Sequence, residues 1–120
     1  MIIIKLLIVG SRSIKSFDLS GKVPSDTELI ISGGASGADT IAEQYADKNR
    51  ISKLILHPTY SKYGKSAPLK RNELMVDIAD SVIILWDGRS KGTKHTMEYA
   101  MKRNKTVKII IVDENCPKSY

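Results

Sequence analysis

Several groups of residues in this chain have the types and spacing to bind an anion. The most compact is Ser32-Gly33-Gly34-Ala35-Ser36-Gly37-Ala38-Asp39, set between the apolar run Leu29-Ile30-Ile31 and an amphipathic segment beginning at Ala38. A strand that feeds a glycine-rich turn and then opens a helix is suited to gripping a phosphate. Glycine lets the backbone approach a ligand closely, and the free N–H groups of a helix's first turn, at the positive end of its dipole, favour an anion. The same spacing also describes an ordinary tight strand-to-helix turn. Gly92-Thr93 opens a later helical pattern and supplies a second such N-terminus, with Thr93 as its natural cap. Arg71 shares a helical face with Leu74, Met75 and Ile78, which directs it toward the sheet instead of water. A guanidinium facing inward needs a carboxylate or phosphate. Asp39 or Asp87 would make that an internal ion pair; a bound ligand would make it an anion clamp.

These residues must be positioned by an alternation of strands and helices. Ile2–Val9 is apolar and β-branched, as a strand buried on both faces should be. It runs into the loop Gly10-Ser11-Arg12-Ser13. Residues 14–28 carry no sustained period and predict a loop with at most a short helix. The first loop is not GxGxxG, so the usual NAD-binding fingerprint is absent. Leu29–Ile31 is a second strand. The helix after it places Ala38, Ile41, Ala42, Tyr45 and Ala46 on one stripe and stops at Asn49-Arg50. Lys53–His57 is a third strand ended by Pro58, followed by a polar, mobile loop over 58–66. Pro68 suits the first turn of a helix carrying Arg71, Leu74, Met75, Ile78 and Ala79 on one face. Ser81–Trp86 is a fourth strand, Asp87–Gly92 its loop, and the last helix shows Thr93, Thr96, Met97, Ala100 and Met101 on one side. Thr106–Val112 is a fifth strand, and 113–120 is a tail.

Such an alternation predicts a single α/β domain over 1–120 with a Rossmann-like three-layer architecture and a mostly parallel five-stranded sheet. Ligands of such sheets bind at the carboxyl ends of the strands. Every polar loop named above follows a strand, so all of them open on that one edge. The net charge of +6 suits an anionic partner, and Lys62, Lys65, Lys70, Arg71, Arg89, Lys91 and Lys94 fall in or beside two of the loops. Asp39, Glu73 and Asp87 stand against them. Nothing is long enough to span a bilayer, and Met1–Val9 has neither the basic leader nor the cleavage site of a signal peptide, which predicts a cytoplasmic protein with no membrane partner. The single Cys116 excludes an internal disulfide. With one cysteine and only His57 and His95, neither a metal site nor a cofactor is expected.

Taken together, Val9-Gly10-Ser11-Arg12, the Ser32–Asp39 turn, Arg71-Asn72 with Met75, Ala79-Asp80, and Trp86-Asp87-Gly88 followed by Gly92-Thr93 resemble the SLOG superfamily. That superfamily joins the Smf/DNA-processing-protein-A fold and the Lonely Guy (LOG) fold, and the likeness is greatest to its small stand-alone branch related to the YspA and YpsA proteins. It runs from about residue 5 to 112. The resemblance implies a Rossmann-like domain that binds a nucleotide or nucleotide-derived ligand. Its pocket would be formed by Gly10, Ser11 and Arg12, by Gly33, Gly34, Ala35, Ser36, Gly37 and Asp39, by Arg71 with Asn72, and by Asp87, Gly88, Gly92 and Thr93. LOG enzymes are commonly dimers, which makes a homodimer an expectation by resemblance. They also carry a Pro-Gly-Gly-x-Gly-Thr-x-Glu-Glu motif, whose matching stretch here is Arg89-Ser90-Lys91-Gly92-Thr93-Lys94-His95-Thr96. His95 and Thr96 stand where the glutamates would be.

The resulting expectation is a sensor or nucleotide-processing protein with no assigned catalytic residue. The alternatives are a phosphoribohydrolase acting on nucleoside monophosphates, with Asp39, Asp87 or Glu73 replacing the missing glutamates, and a binder of single-stranded DNA. The latter needs an open basic track with exposed aromatics, and aromatic residues make up only 6% of the chain.

Overall fold

The computed structural model describes residues 4–112. Residues Ile2 and Ile3 of the expected first strand, the tail over 113–120 and Cys116 lie outside the described residues. The strands are β1 (Ile4–Gly10), β2 (Thr27–Ser32), β3 (Ser52–Ile55), β4 (Ser81–Trp86) and β5 (Thr106–Ile111). They form one five-stranded sheet in the order β3-β2-β1-β4-β5, and all four pairings are parallel. The chain steps outward from β1 to β3 and then returns to the other side of β1. The strand order therefore reverses between β1 and β4, the position where a doubly wound sheet leaves a crevice beyond its strand ends.

Burial on both faces of the central strands explains their unbroken apolar composition. Leu6 and Ile8 of β1, Ile30 of β2 and Ile83 and Leu85 of β4 face one layer, formed by α1 (Ala38–Lys48) and the segment between β1 and β2. Leu7, Val9, Ile31, Val82 and Ile84 face the other, formed by α3 (Ala67–Ile78) and α4 (Lys91–Lys102). The first crossover contains no helix; Ile14 and Leu19 from it are buried against α1 instead.

The expected elements are all present, and the differences have local causes. Residues 60–66 are not loop but a helical turn, α2 (Tyr60–Tyr63), running into a tighter 3₁₀ turn over Gly64–Ser66. The buried side of α3 is rotated from the expected stripe: Leu74 is 52% exposed, whereas Asn72 and Val76 are buried. Polar bonds from Arg71 and Asn72, described below, fix that rotation against the pull of the apolar pattern. Met101 likewise faces solvent on α4. β3 ends at Ile55, two residues early: the Leu56 N–H still bonds the Ser32 carbonyl of β2, but the Leu56 carbonyl is taken by Arg71. Helix α1 ends as expected at Asn49, with Arg50 in the left-handed region at φ 56° and the Ile51 N–H bonded back to Ala46.

Gly10 allows β1 and β4 to meet. A Cβ there would overlap the Leu85 carbonyl and stand 2.9 Å from the Ala38 methyl. Gly10→Ala should therefore cost about 1–3 kcal/mol of stability. Gly92→Ala, at a helical position with open space around it, should gain up to about 1 kcal/mol. Urea unfolding of the two variants measures both effects, and an unchanged Gly10→Ala protein would contradict the close approach of these strands.

Candidate functional site

Three loops converge on Ser11, one residue past β1. Its N–H donates to the Leu85 carbonyl at 2.9 Å, and its own carbonyl accepts from Ala38, in the first turn of α1, at 3.2 Å. Its buried hydroxyl accepts the Asp87 N–H at 3.1 Å. Gly37, the residue before α1, has φ +77°, and a Cβ on it would lie 2.6 Å from Arg12 Cα and from the Ser11 and Arg12 carbonyl oxygens. The β1 loop thus lies directly on the start of α1.

The loop after β4 is organised by Asp87. One carboxylate oxygen accepts the N–H groups of Arg89 and Ser90, each at 2.8 Å, and the other accepts the Ser13 hydroxyl at 2.7 Å. This turn, with Gly88 at φ +82°, starts α4 at Lys91. Its cap is therefore Ser90, not the expected Thr93: the Ser90 hydroxyl accepts from the Thr93 N–H at 3.3 Å and from its hydroxyl at 3.0 Å. The N–H of Gly92 has no hydrogen-bond partner among the described residues. The Trp86 indole donates to the Ser90 carbonyl at 3.1 Å and so braces this loop.

Arg71 joins the two halves of the sheet edge. It is only 8% exposed, and it forms an ion pair with neither Asp39 nor Asp87. Instead, Nη1 donates to the carbonyls of Gly33 at 2.6 Å and Leu56 at 3.2 Å, and Nε donates to the Asn72 side-chain oxygen at 2.7 Å. Asn72 passes the connection to the Thr96 hydroxyl at 3.0 Å, which donates to the Gly92 carbonyl at 3.0 Å. The guanidinium is thereby locked by neutral acceptors, and Nη2 remains without a partner among the described residues.

A cavity of about 380 Å³ opens at the β1–β4 crossing, between the N-termini of α3 and α4. Gly10, Arg12, Arg71, Asn72, Asp87, Gly92 and Thr93 of the expected set line it. Val9 is its floor, and Pro68 and Leu69 form an apolar wall. Ser11, Gly88 and the Gly33–Asp39 turn do not line it; the turn lies behind Arg71, with Ala35 N–H bonded to Asp39 Oδ2 at 3.1 Å. Of Lys62, Lys65, Lys70, Arg71, Arg89, Lys91 and Lys94, only Arg71 lines this cavity, whereas Lys70 lines a neighbouring groove of about 330 Å³ together with Tyr63. Ser13 and Ser90 also line the cavity and were not singled out from the sequence. A serine three residues before Thr93 was the available signal for Ser90, since serine is the stronger cap. No cluster of His, Cys, Asp and Glu suited to a metal occurs among the described residues.

The charges of the site are unequally perturbed. Burial raises the Asp39 carboxyl above its ordinary range, opposed by the Ala35 N–H and by Arg71. Burial likewise lowers the Arg71 guanidinium, opposed by Asp39. For Asp87, burial is outweighed by the N–H groups of Ser90 and Arg89 and the hydroxyls of Ser13 and Ser11, which bring it from 3.8 to about 2. A carboxyl depressed on folding stabilises the protein fully above its unfolded pKa and loses that contribution as the pH falls toward the folded value. The wild-type protein should accordingly be more stable than Asp87→Asn at neutral pH, with the difference shrinking between about pH 4 and 2. Denaturant titrations across that window measure it, and a difference independent of pH would show that the charge is not what holds the turn.

The chain is 35% identical over 80 residues to the Gene 61 protein of Mycobacterium phage D29. The match covers 62% of this chain and 64% of that curated relative, so the chain spans less than two thirds of the relative's length. No family model matches. No solved structure matches.

Proposed function

We propose that this protein is a cytoplasmic SLOG-like domain that binds a nucleotide or nucleotide-derived ligand in the cavity at the β1–β4 crossing. The observation that carries the reading is the convergence there of Arg71, nine-tenths buried, and the first turn of α4, where neither Arg71 Nη2 nor the Gly92 N–H has a partner among the described residues. A phosphate between them would meet a preorganised guanidinium and the positive end of a helix dipole. Arg12 adds a second cation at the mouth, and the Pro68–Leu69 wall offers apolar surface to a sugar or base.

Binding is favoured over hydrolysis by the state of the carboxylates. Asp87 lines the cavity, but both its oxygens are occupied and its pKa near 2 leaves it a poor proton donor or acceptor at neutral pH. Glu73 is turned to His95 at 2.9 Å, and Asp39 does not line the cavity. Single-stranded DNA is a second reading, supported by the exposed Tyr60 and Tyr63 with Lys62 stacked on the Tyr63 ring at 5.2 Å.

A thermal-shift screen with AMP, ADP, nucleotide sugars and cyclic nucleotides tests the proposal, with AMP turnover followed alongside. At about a hundred times Kd, a ligand should add about 2.7 kcal/mol and raise Tm on the order of 10 °C. Gly92→Asp, whose Cβ meets open space and which places an acid where a helix welcomes one, should keep the fold and lose the shift. Release of free base would move the protein to the hydrolases. A response only to oligonucleotides, steeply weakened by salt, would replace the nucleotide reading with the DNA one.

A further inference from the structure

Gly33 lies between two buried, oppositely charged side chains. A Cβ built on it would stand 2.8 Å from Arg71 Cζ and Nη1 and 2.9 Å from Asp39 Oδ2. Its carbonyl accepts from Arg71, and its N–H faces the Asp39 carboxylate. The charges are thus neighbours across one peptide without forming an ion pair of their own.

Asp39 is 4% exposed, with Oδ2 on the Ala35 N–H and Oδ1 lacking any hydrogen-bond partner among the described residues. An unpartnered buried carboxylate oxygen is costly, and holding the Ala35 and Gly33 N–H groups does not require a full charge. What the charge does supply is a counterweight to a guanidinium whose own hydrogen bonds all go to neutral oxygens. The other ionisable groups that act on the pair are Glu43 on the Asp39 side and Arg12 and Tyr60 on the Arg71 side.

We propose that Asp39 is a positioning residue, the resident counter-charge of Arg71, and that it limits the cavity's affinity for phosphate-bearing ligands. The inference rests on the nucleotide-binding reading of the cavity. A ligand phosphate at Nη2 shares the guanidinium with Asp39 and is repelled by it, so it binds less tightly than it would to the guanidinium alone. A merely turn-forming Asp39 would have the opposite signature, because disturbing the turn would loosen Arg71 and weaken binding.

The test is calorimetric titration of inorganic pyrophosphate and of ADP into wild type and Asp39→Asn at one fixed ionic strength. Asn keeps an oxygen for the Ala35 N–H and removes the charge. Roughly tenfold tighter binding is expected, the order set by one unit charge acting through a medium of intermediate dielectric. Equal or weaker binding by a folded Asp39→Asn protein, with wild type binding normally, would overturn the inference and leave the cavity reading intact. If neither protein binds either probe, the cavity reading falls and the inference with it. Should Asp39→Asn not fold, Glu43→Gln removes a negative charge on the same side of Gly33 while leaving the Ala35 bond in place. It should tighten binding a few-fold, and no tightening would also overturn the proposal.

Discussion

The buried guanidinium of Arg71 is the constraint on which the sheet edge depends. It reaches from α3 to the carbonyls of the first residues past two strands, Gly33 after β2 and Leu56 after β3, and through Asn72 and Thr96 to the first turn of α4. Buried N–H donors seek acceptors, and the bonds made by Nη1 and Nε tie α3, α4 and two strand ends into one polar chain. The same requirement sets the rotation of α3, which buries Asn72 and leaves Leu74 in solvent. It also ends β3 early. One polar side chain therefore decides features that hydrophobic patterning alone would assign differently.

Around this anchor, the reversal of strand order opens the crevice and the small residues close its walls. Gly10 brings β1 within carbonyl contact of β4, and Gly37 lets the β1 loop lie on the start of α1. Ser11 then uses its N–H, carbonyl and hydroxyl to link β4, α1 and the Asp87 turn. The two helix N-termini differ as a result. The start of α1 is occupied by the protein itself, through the Ser11 carbonyl, whereas Gly92 at the start of α4 lines the cavity and its N–H has no partner among the described residues.

The two carboxylates also differ. Asp87 is surrounded by donors and is held ionised as a structural acceptor that shapes the α4 loop. Asp39 and Arg71 are both pushed toward neutrality by burial and oppose each other's shift. The charged residues that line the cavity are Arg12, Arg71 and Asp87, and no lysine lines it.

Local sequence determined the elements and their order. Uninterrupted β-branched runs predicted strands buried on both faces, the absence of a period over 14–28 predicted a crossover with at most a short helix, and the alternation predicted a mostly parallel sheet. Each of these rests on periodicity, which acts over a few residues and survives in any context. The convergence of Gly10, Arg12, Arg71, Asn72, Asp87, Gly92 and Thr93 at one edge was also legible, because loops that follow parallel strands must open on the same side. Tertiary structure decided what each polar group faces. Whether Arg71 met a carboxylate or backbone carbonyls, whether Ser90 or Thr93 capped α4, and whether the Gly33–Asp39 turn lined the cavity or stood behind Arg71 depended on contacts between residues far apart in the chain. Hydrogen bonds are directional and short, so their partners are chosen only once packing has fixed the distances. No spacing in the sequence encodes that choice.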